Sequence, residues 1–196
     1  MKNRLFIIIA LALLLLCVTG CGGGKPAEEN PATKPNIDIH FAPDASTLEA
    51  AKRNGYVVFE DSRVTAGQEI WDDFVAKTEA GEPCFVWLAS WYSPDEWRPE
   101  PVMYVEAVEF DGEEYVYFYH EAGVNYIKRY KYMKKYTEDG NANVDWSTST
   151  RYFLVNDERV TWNQIVRGMF SSNSMNWVDH ETVYRNYTPR DGAPGQ

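Results

Sequence analysis

The stretch Met103-Tyr104-Val105-Glu106-Ala107-Val108-Glu109-Phe110-Asp111-Gly112-Glu113-Glu114-Tyr115-Val116-Tyr117-Phe118-Tyr119-His120 decides how this chain folds. Side chains alternate in character on both sides of Asp111-Gly112, which is the period of a strand and not of a helix. An Asp-Gly pair between two such runs predicts a hairpin, because a type I′ turn needs positive φ at both central residues. That turn sets Phe110 opposite Glu113, and the pairs continue outward through Glu106 with Tyr117 to Met103 with His120. One face then carries Met103, Val105, Ala107, Val116 and Phe118, an ordinary core face. The other carries Tyr104, Glu106, Val108, Tyr115, Tyr117 and Tyr119, a tyrosine face with one carboxylate in it.

Working outward, residues 84–92, 101–110, 113–121, 126–136 and 150–155 all read as strands, with an acidic, proline-containing loop over 93–99. The chain before them is helical in pattern. Asp44 is placed to cap a short helix through Leu48, Ala51 and Lys52 that stops at Asn54-Gly55, and residues 56–60 form a short strand. Thr65 with Gln68 reads as a capping box opening a second helix. Its apolar side chains Ile70, Trp71, Phe74 and Val75 share a face, and Gly81 ends it. Asp72, Asp73, Lys77 and Glu79 form its solvated face. Thr161 caps a last helix over 162–170, and the chain frays from Thr188. The expectation is one α+β domain over 44–188, an antiparallel sheet of about five or six strands with two or three helices on one face, and a disordered tail over 189–196.

The neighbouring strands repeat the hairpin's division. Phe85, Trp87 and Trp91 alternate with Cys84, Val86 and Leu88. Tyr126, Lys128, Tyr130, Tyr132, Lys134 and Tyr136 share a side, away from Ile127 and Met133. If the Tyr and Trp sides align, an aliphatic face lies under the helices and an aromatic face of Trp87, Trp91, Tyr104, Glu106, Tyr115, Tyr117 and Tyr119 lies outside. Two readings stand for that face. Tyrosine is a good strand residue whose cross-strand pairs stabilise a sheet, and the final segment can pack over the rings. Alternatively the rings are a recognition platform for a glycan, a peptide or another envelope protein, with Glu106 and Lys128 or Lys134 setting orientation.

The amino terminus carries an address. Met1-Lys2-Asn3-Arg4 is a basic segment, and residues 5–18 are an apolar run of about 14 residues, short of the roughly 20 that a spanning helix needs. Val18-Thr19-Gly20-Cys21 resembles the lipobox of bacterial lipoproteins. The resemblance implies removal of residues 1–20 and a diacylglycerol on Cys21, enough acyl chain to anchor a protein stably. Gly22-Gly23-Gly24 and the polar, proline-containing residues to 43 then form a flexible tether. The expected location is the extracytoplasmic side of a bacterial membrane, with that membrane as partner through Cys21.

Nineteen Lys and Arg against 29 Asp and Glu give a net charge of -10, so nucleic acid, itself a polyanion, is excluded as a partner. Cys17 and Cys21 belong to the signal and the anchor, which leaves Cys84 without an intrachain disulfide partner. It sits in the apolar run 84–88 as a small hydrophobe. His40, His120 and His180 have no zinc-ligand spacing with it, and no cofactor is expected. Asp139, Asn141, Asn143 and Asp145 alternate as calcium loops do, but Val144 and Thr150 stand where such a loop places glycine and glutamate. Asp179-His180-Glu181 puts a histidine between carboxylates, yet the chain has no G-x-S-x-G, H-E-x-x-H or phosphate-loop motif.

Residues 50–155 resemble the DUF4362 family of bacterial lipoproteins of unknown function. The likeness is carried by Asn54-Gly55-Tyr56-Val57-Val58, by the helix with Phe74 ending at Gly81, and by the hairpin at Phe110-Asp111-Gly112. This chain lacks that family's later cysteines. The resemblance implies an envelope lipoprotein domain and no particular activity. The reading is a non-catalytic, membrane-tethered binding module; the alternative is an extracytoplasmic hydrolase whose site no motif reveals. Metabolic labelling with a radioactive fatty acid should load the wild-type chain, and Cys21→Ala should abolish the label.

Overall fold

A computed structural model describes residues 42–190 except Ala122, Ala142 and Asp145. The expected signal over 1–20, most of the tether over 21–43, His40 and the tail beyond Arg190 lie outside the described residues. The elements are α1 (Leu48–Arg53), β1 (Val57–Glu60), β2 (Arg63–Ala66), α2 (Gln68–Glu79), β3 (Cys84–Tyr92), β4 (Val102–Phe110), β5 (Tyr115–Glu121), β6 (Val124–Tyr130), β7 (Tyr132–Asp139), β8 (Trp146–Val155), α3 (Trp162–Met169), a 3-10 turn (Ser174–Asn176) and β9 (His180–Pro189). The domain is α+β, with a six-stranded sheet in the order β2-β1-β3-β4-β5-β6 and a three-stranded sheet β7-β8-β9.

The hairpin forms with its two faces as expected but with another turn. Phe110 pairs with Tyr115 and Glu106 with Tyr119. The Asp111 carboxylate accepts the amides of Glu113 at 3.0 Å and Glu114 at 2.9 Å, so an Asx-type loop of four residues replaces the two-residue turn. The register moves by two positions, which leaves every side chain on its expected face, since the strand period is two.

Three features of the sheet depart from expectation. First, β1 pairs parallel with β3, so the six-stranded sheet is mixed. Secondly, the run 126–136 is two strands in two sheets, because the chain leaves the first at Tyr130 and enters the second at Tyr132. Asn156 holds that crossing, accepting the Lys131 amide at 3.2 Å and donating to the Arg129 carbonyl at 3.3 Å. Thirdly, β9 lies outside the expected strands and continues past Thr188, where fraying is expected, to Pro189. Two helix starts also differ. Thr47, not Asp44, caps α1 by accepting the Ala50 amide at 3.1 Å. Thr65 lies in β2, and α2 starts from Gly67 at φ 74° with no side-chain cap. A Cβ at Gly67 would stand 2.4 Å from the Tyr56 carbonyl oxygen, so only glycine fits that turn. The Thr161 cap is as expected, a full capping box with Gln164.

The faces are covered in the opposite sense to the expectation. The tyrosine face is the main core. Val86, Leu88, Val108, Phe110, Tyr115, Tyr117 and Tyr130 pack with Trp71 and Phe74 of α2 and with Tyr152, Leu154, Val183 and Tyr184 of the second sheet. Trp87 and Trp91 lie on the reverse face, because they pair with Ala107 and Met103. There Ala89, Val58, Tyr56 and half-buried Trp87 meet Ala51 and Leu48 of α1. Helices therefore cover both faces of the first sheet. The second sheet's outer side, Phe153 and Val155, packs on Ile165 of α3.

Trp71 is the knot of the main core. Its indole stacks on Tyr184 at 4.7 Å between centroids, meets Tyr152 edge-on at 5.1 Å and lies 5.5 Å from Phe74. The register of β8 with β9 slips between Tyr152 and Phe153, which lets Val183 and Tyr184, adjacent in sequence, both reach this core. Trp71→Ala should cost about 3–5 kcal/mol in urea unfolding. A loss below about 1 kcal/mol would show that the contact between α2 and the second sheet is dispensable.

Candidate functional site

The expected binding face divides into three parts. Tyr115 and Tyr117 are buried beneath α2 and β9, so they serve the core. Trp87 and Trp91 are on the other side of the sheet and line nothing in common with the tyrosines. Tyr104, Glu106 and Tyr119 remain on the open margin of the tyrosine face, where the second sheet no longer covers it. The broad platform is thus replaced by a narrower feature, a cleft of about 270 Å3. It is lined by Tyr104, Val105, Glu106, Tyr117, Tyr119, His120, Glu121 and Glu181.

The first sheet's register builds the floor. Leu88, Glu106, Tyr119 and Tyr126 sit side by side across β3 to β6, which places the Glu106 carboxylate next to the Tyr119 ring. Tyr119 is stacked on Tyr126 at 4.6 Å with 9° between planes, and Tyr117 lies 5.5 Å further in. Tyr104 forms the outer wall, 47 % exposed, its ring edge-on to Tyr92 at 5.8 Å. The far wall is Glu181, supplied by β9, an element absent from the strand pattern read in the sequence. Glu181 is held by Lys128, whose ammonium also lies 5.7 Å from the Tyr119 ring and is pushed up in pKa mainly by that carboxylate.

Glu106 is the unusual group. Burial raises its pKa; the Tyr117 hydroxyl, donating to it, and the Arg185 guanidinium partly offset that, while Glu181 adds to it. The same burial and the same carboxylate push the Tyr117 phenol upward, so it stays a donor. Neither lysine expected to orient Glu106 does so: Lys128 pairs with Glu181, and Lys134 donates to the Glu158 carbonyl at 2.6 Å. Arg185 takes that place, and it also donates to the Tyr92 hydroxyl.

The other candidates are not assembled. In Asp179-His180-Glu181 the side chains diverge. Asp179 accepts from the Tyr130 hydroxyl at 3.3 Å, Glu181 faces Lys128, and His180 sits against Phe153 with its Nδ1 donating to the Val178 carbonyl at 2.7 Å. His120 at the cleft rim contacts Asn125 at 2.7 Å. The half-buried Cys84 thiol is pushed up to about 11 by burial and points to the Phe74 carbonyl, as an inert thiol does. Of the calcium-like turn, Asp145 lies outside the described residues. Asn141 accepts the Asn143 amide, and the Arg190 guanidinium donates to the Gly140 and Asn141 carbonyls, so the turn's oxygens bond within the protein. Among the described residues no three His, Cys, Asp or Glu side chains group as a metal site.

A raised folded-state pKa at Glu106 has a definite sign in stability. The native state binds this proton more tightly than the unfolded chain does, so the group's contribution falls as pH rises from about 4.5 through the folded value. Glu106→Gln should therefore be more stable than wild type at neutral pH, and the difference should shrink as pH falls towards 4.5. Urea titrations across that range check it; a variant less stable at neutral pH contradicts the assignment.

Compared with known proteins, the chain matches no family model, no curated protein and no solved structure.

Proposed function

We propose that the chain is a lipid-tethered extracytoplasmic binding module, non-catalytic, whose cleft between β4, β5 and β9 takes a ligand through a cationic group. The observation that carries this is the lining itself. Three carboxylates, Glu106, Glu121 and Glu181, and three phenol rings line a space of about 270 Å3, an acidic excess over the two cations at its edge, Lys128 on Glu181 and Arg185 near Glu106. A cation over a tyrosine face gains from the ring quadrupole, and a carboxylate shielded from water strengthens the attraction. An ammonium, guanidinium or quaternary ammonium group fits that chemistry, whether on a small molecule or on a peptide side chain. A neutral glycan gains ring contacts and hydroxyl hydrogen bonds to the carboxylates but not the charge attraction. The tether reading rests on the residues around Cys21 and on the likeness to envelope lipoproteins.

One observation favours the hydrolase alternative. Glu106, pushed toward its neutral form, and Glu181, ion-paired to Lys128, share the cleft, and two carboxyl groups in differing environments are what acid–base hydrolysis uses. Binding without turnover distinguishes the two.

The test is calorimetric titration of the chain with tetramethylammonium, arginine and a neutral disaccharide. Saturable binding of the cations alone is expected, weakened about tenfold or more in Glu106→Gln and in Tyr119→Ala, a loss of about 1.4 kcal/mol. Affinity should also fall as pH drops and Glu106 takes up its proton. Equal affinity for the disaccharide, or cation binding indifferent to both substitutions, would remove the cleft from the reading.

A further inference from the structure

The carboxyl-terminal end of α3 and the loop that follows expose four large apolar side chains. Met169 is 50 % exposed, Phe170 86 %, Met175 90 % and Trp177 63 %. Such exposure in a floppy loop would mean little, but this loop is pinned. The Trp177 indole N–H donates to the Ser171 carbonyl at 2.8 Å, which leaves the ring outside while satisfying its polar atom within. Asn176 Nδ2 donates to Ser171 Oγ at 3.0 Å, and Asn173 Oδ1 accepts the Met175 amide at 3.0 Å. The returning chain lies directly on the helix at Gly168, where a Cβ would come 2.9 Å from the Asn176 carbonyl oxygen. The hydrogen bonds thus hold the apolar groups outward, where water contact costs free energy unless something covers them.

Charge selects what covers them. In a chain of net charge -10, residues 160–178 contain no carboxylate, and their one ionic group, Arg167, is exposed and makes no ion pair among the described residues. The carboxylates resume at once on either side, with Asp157 and Glu158 before and Asp179 after. A second copy of this acidic chain is a poor occupant. Phe170, Met175 and Trp177, set among Ser171, Asn176 and the Arg167 guanidinium, match the depth profile of a phospholipid surface: apolar groups below, hydrogen-bonding groups and cation at the phosphates.

The geometry points to a membrane-interface tip: Phe170, Met175 and Trp177 insert into a phospholipid surface with Arg167 at the phosphate level. This goes beyond the cleft and does not require the lipid on Cys21, although a tether would keep the tip close to its surface. The Cys21→Ala labelling experiment and the one below fail independently.

The mature chain, mixed with phosphatidylcholine vesicles carrying bromine at shallow acyl positions, supplies the test through tryptophan fluorescence. The difference between wild type and Trp177→Phe isolates one indole among seven. Its emission should be blue-shifted and quenched at least twofold by the brominated lipid, and Met175→Glu should abolish the quenching. Phe170→Trp, which leaves the Ser171 anchor intact, should add emission quenched to the same degree. An unquenched Trp177 and an unquenched Trp at position 170 overturn the proposal. A blue shift that scales with protein density and ignores bromine also overturns it, in favour of contact between copies.

Discussion

Trp71 has to be buried, and only the concerted arrival of α2, β8 and β9 buries it. Its ring is 1 % exposed and touches Phe74, Tyr152 and Tyr184. Those contacts bring the second sheet over the tyrosine side of the first. Once Tyr184 is stacked there, the strand that carries it must run along the cleft margin, which puts Glu181 opposite Glu106 and Arg185 within reach of it. The candidate site is therefore a consequence of core packing. The second sheet covers Tyr115 and Tyr117 fully and stops short of Tyr104 and Tyr126, and the cleft is the step left at that boundary.

That step explains the mixture of properties in the cleft. Groups toward the core, Glu106 and Tyr117, have titrations displaced by burial. Groups at the rim, Tyr104 and Glu121, are exposed as ordinary surface residues are. A ligand entering between them would exchange water for rings on one side and meet a desolvated carboxylate at the bottom, where electrostatic attraction is least screened. The α3 tip obeys another logic. Its polar atoms are satisfied inside the loop while its apolar atoms face out, the reverse of the arrangement in the cleft.

Several elements were legible in the chain before any coordinates. The residue alternation around Asp111-Gly112 gave both hairpin faces correctly even though the turn type was wrong, because an Asp111 side chain that bonds two amides shifts the register by an even number. The Cys84–Tyr92 strand, the Gly81 helix stop and the Thr161 cap follow from local chemistry in the same way. β9 was missed because His180 to Pro189 lacks a clean apolar alternation, its Val183 and Tyr184 both facing inward at a register slip. The break at Lys131 was missed because alternation continues unaltered through a residue where the chain changes sheets.

By itself the sequence determined what depends on near neighbours: most of the helices and the strands of the first sheet, and which side chains share a strand face. It could not say which face would be covered, because Tyr and Trp suit a buried core and an open platform equally, and the choice rests on residues far apart in the chain. Only the tertiary structure decided that Trp87 and Trp91 back onto α1 and that Tyr115 and Tyr117 are core. It also brought Glu181 across to Glu106, a pairing between strands of two different sheets that no local period encodes.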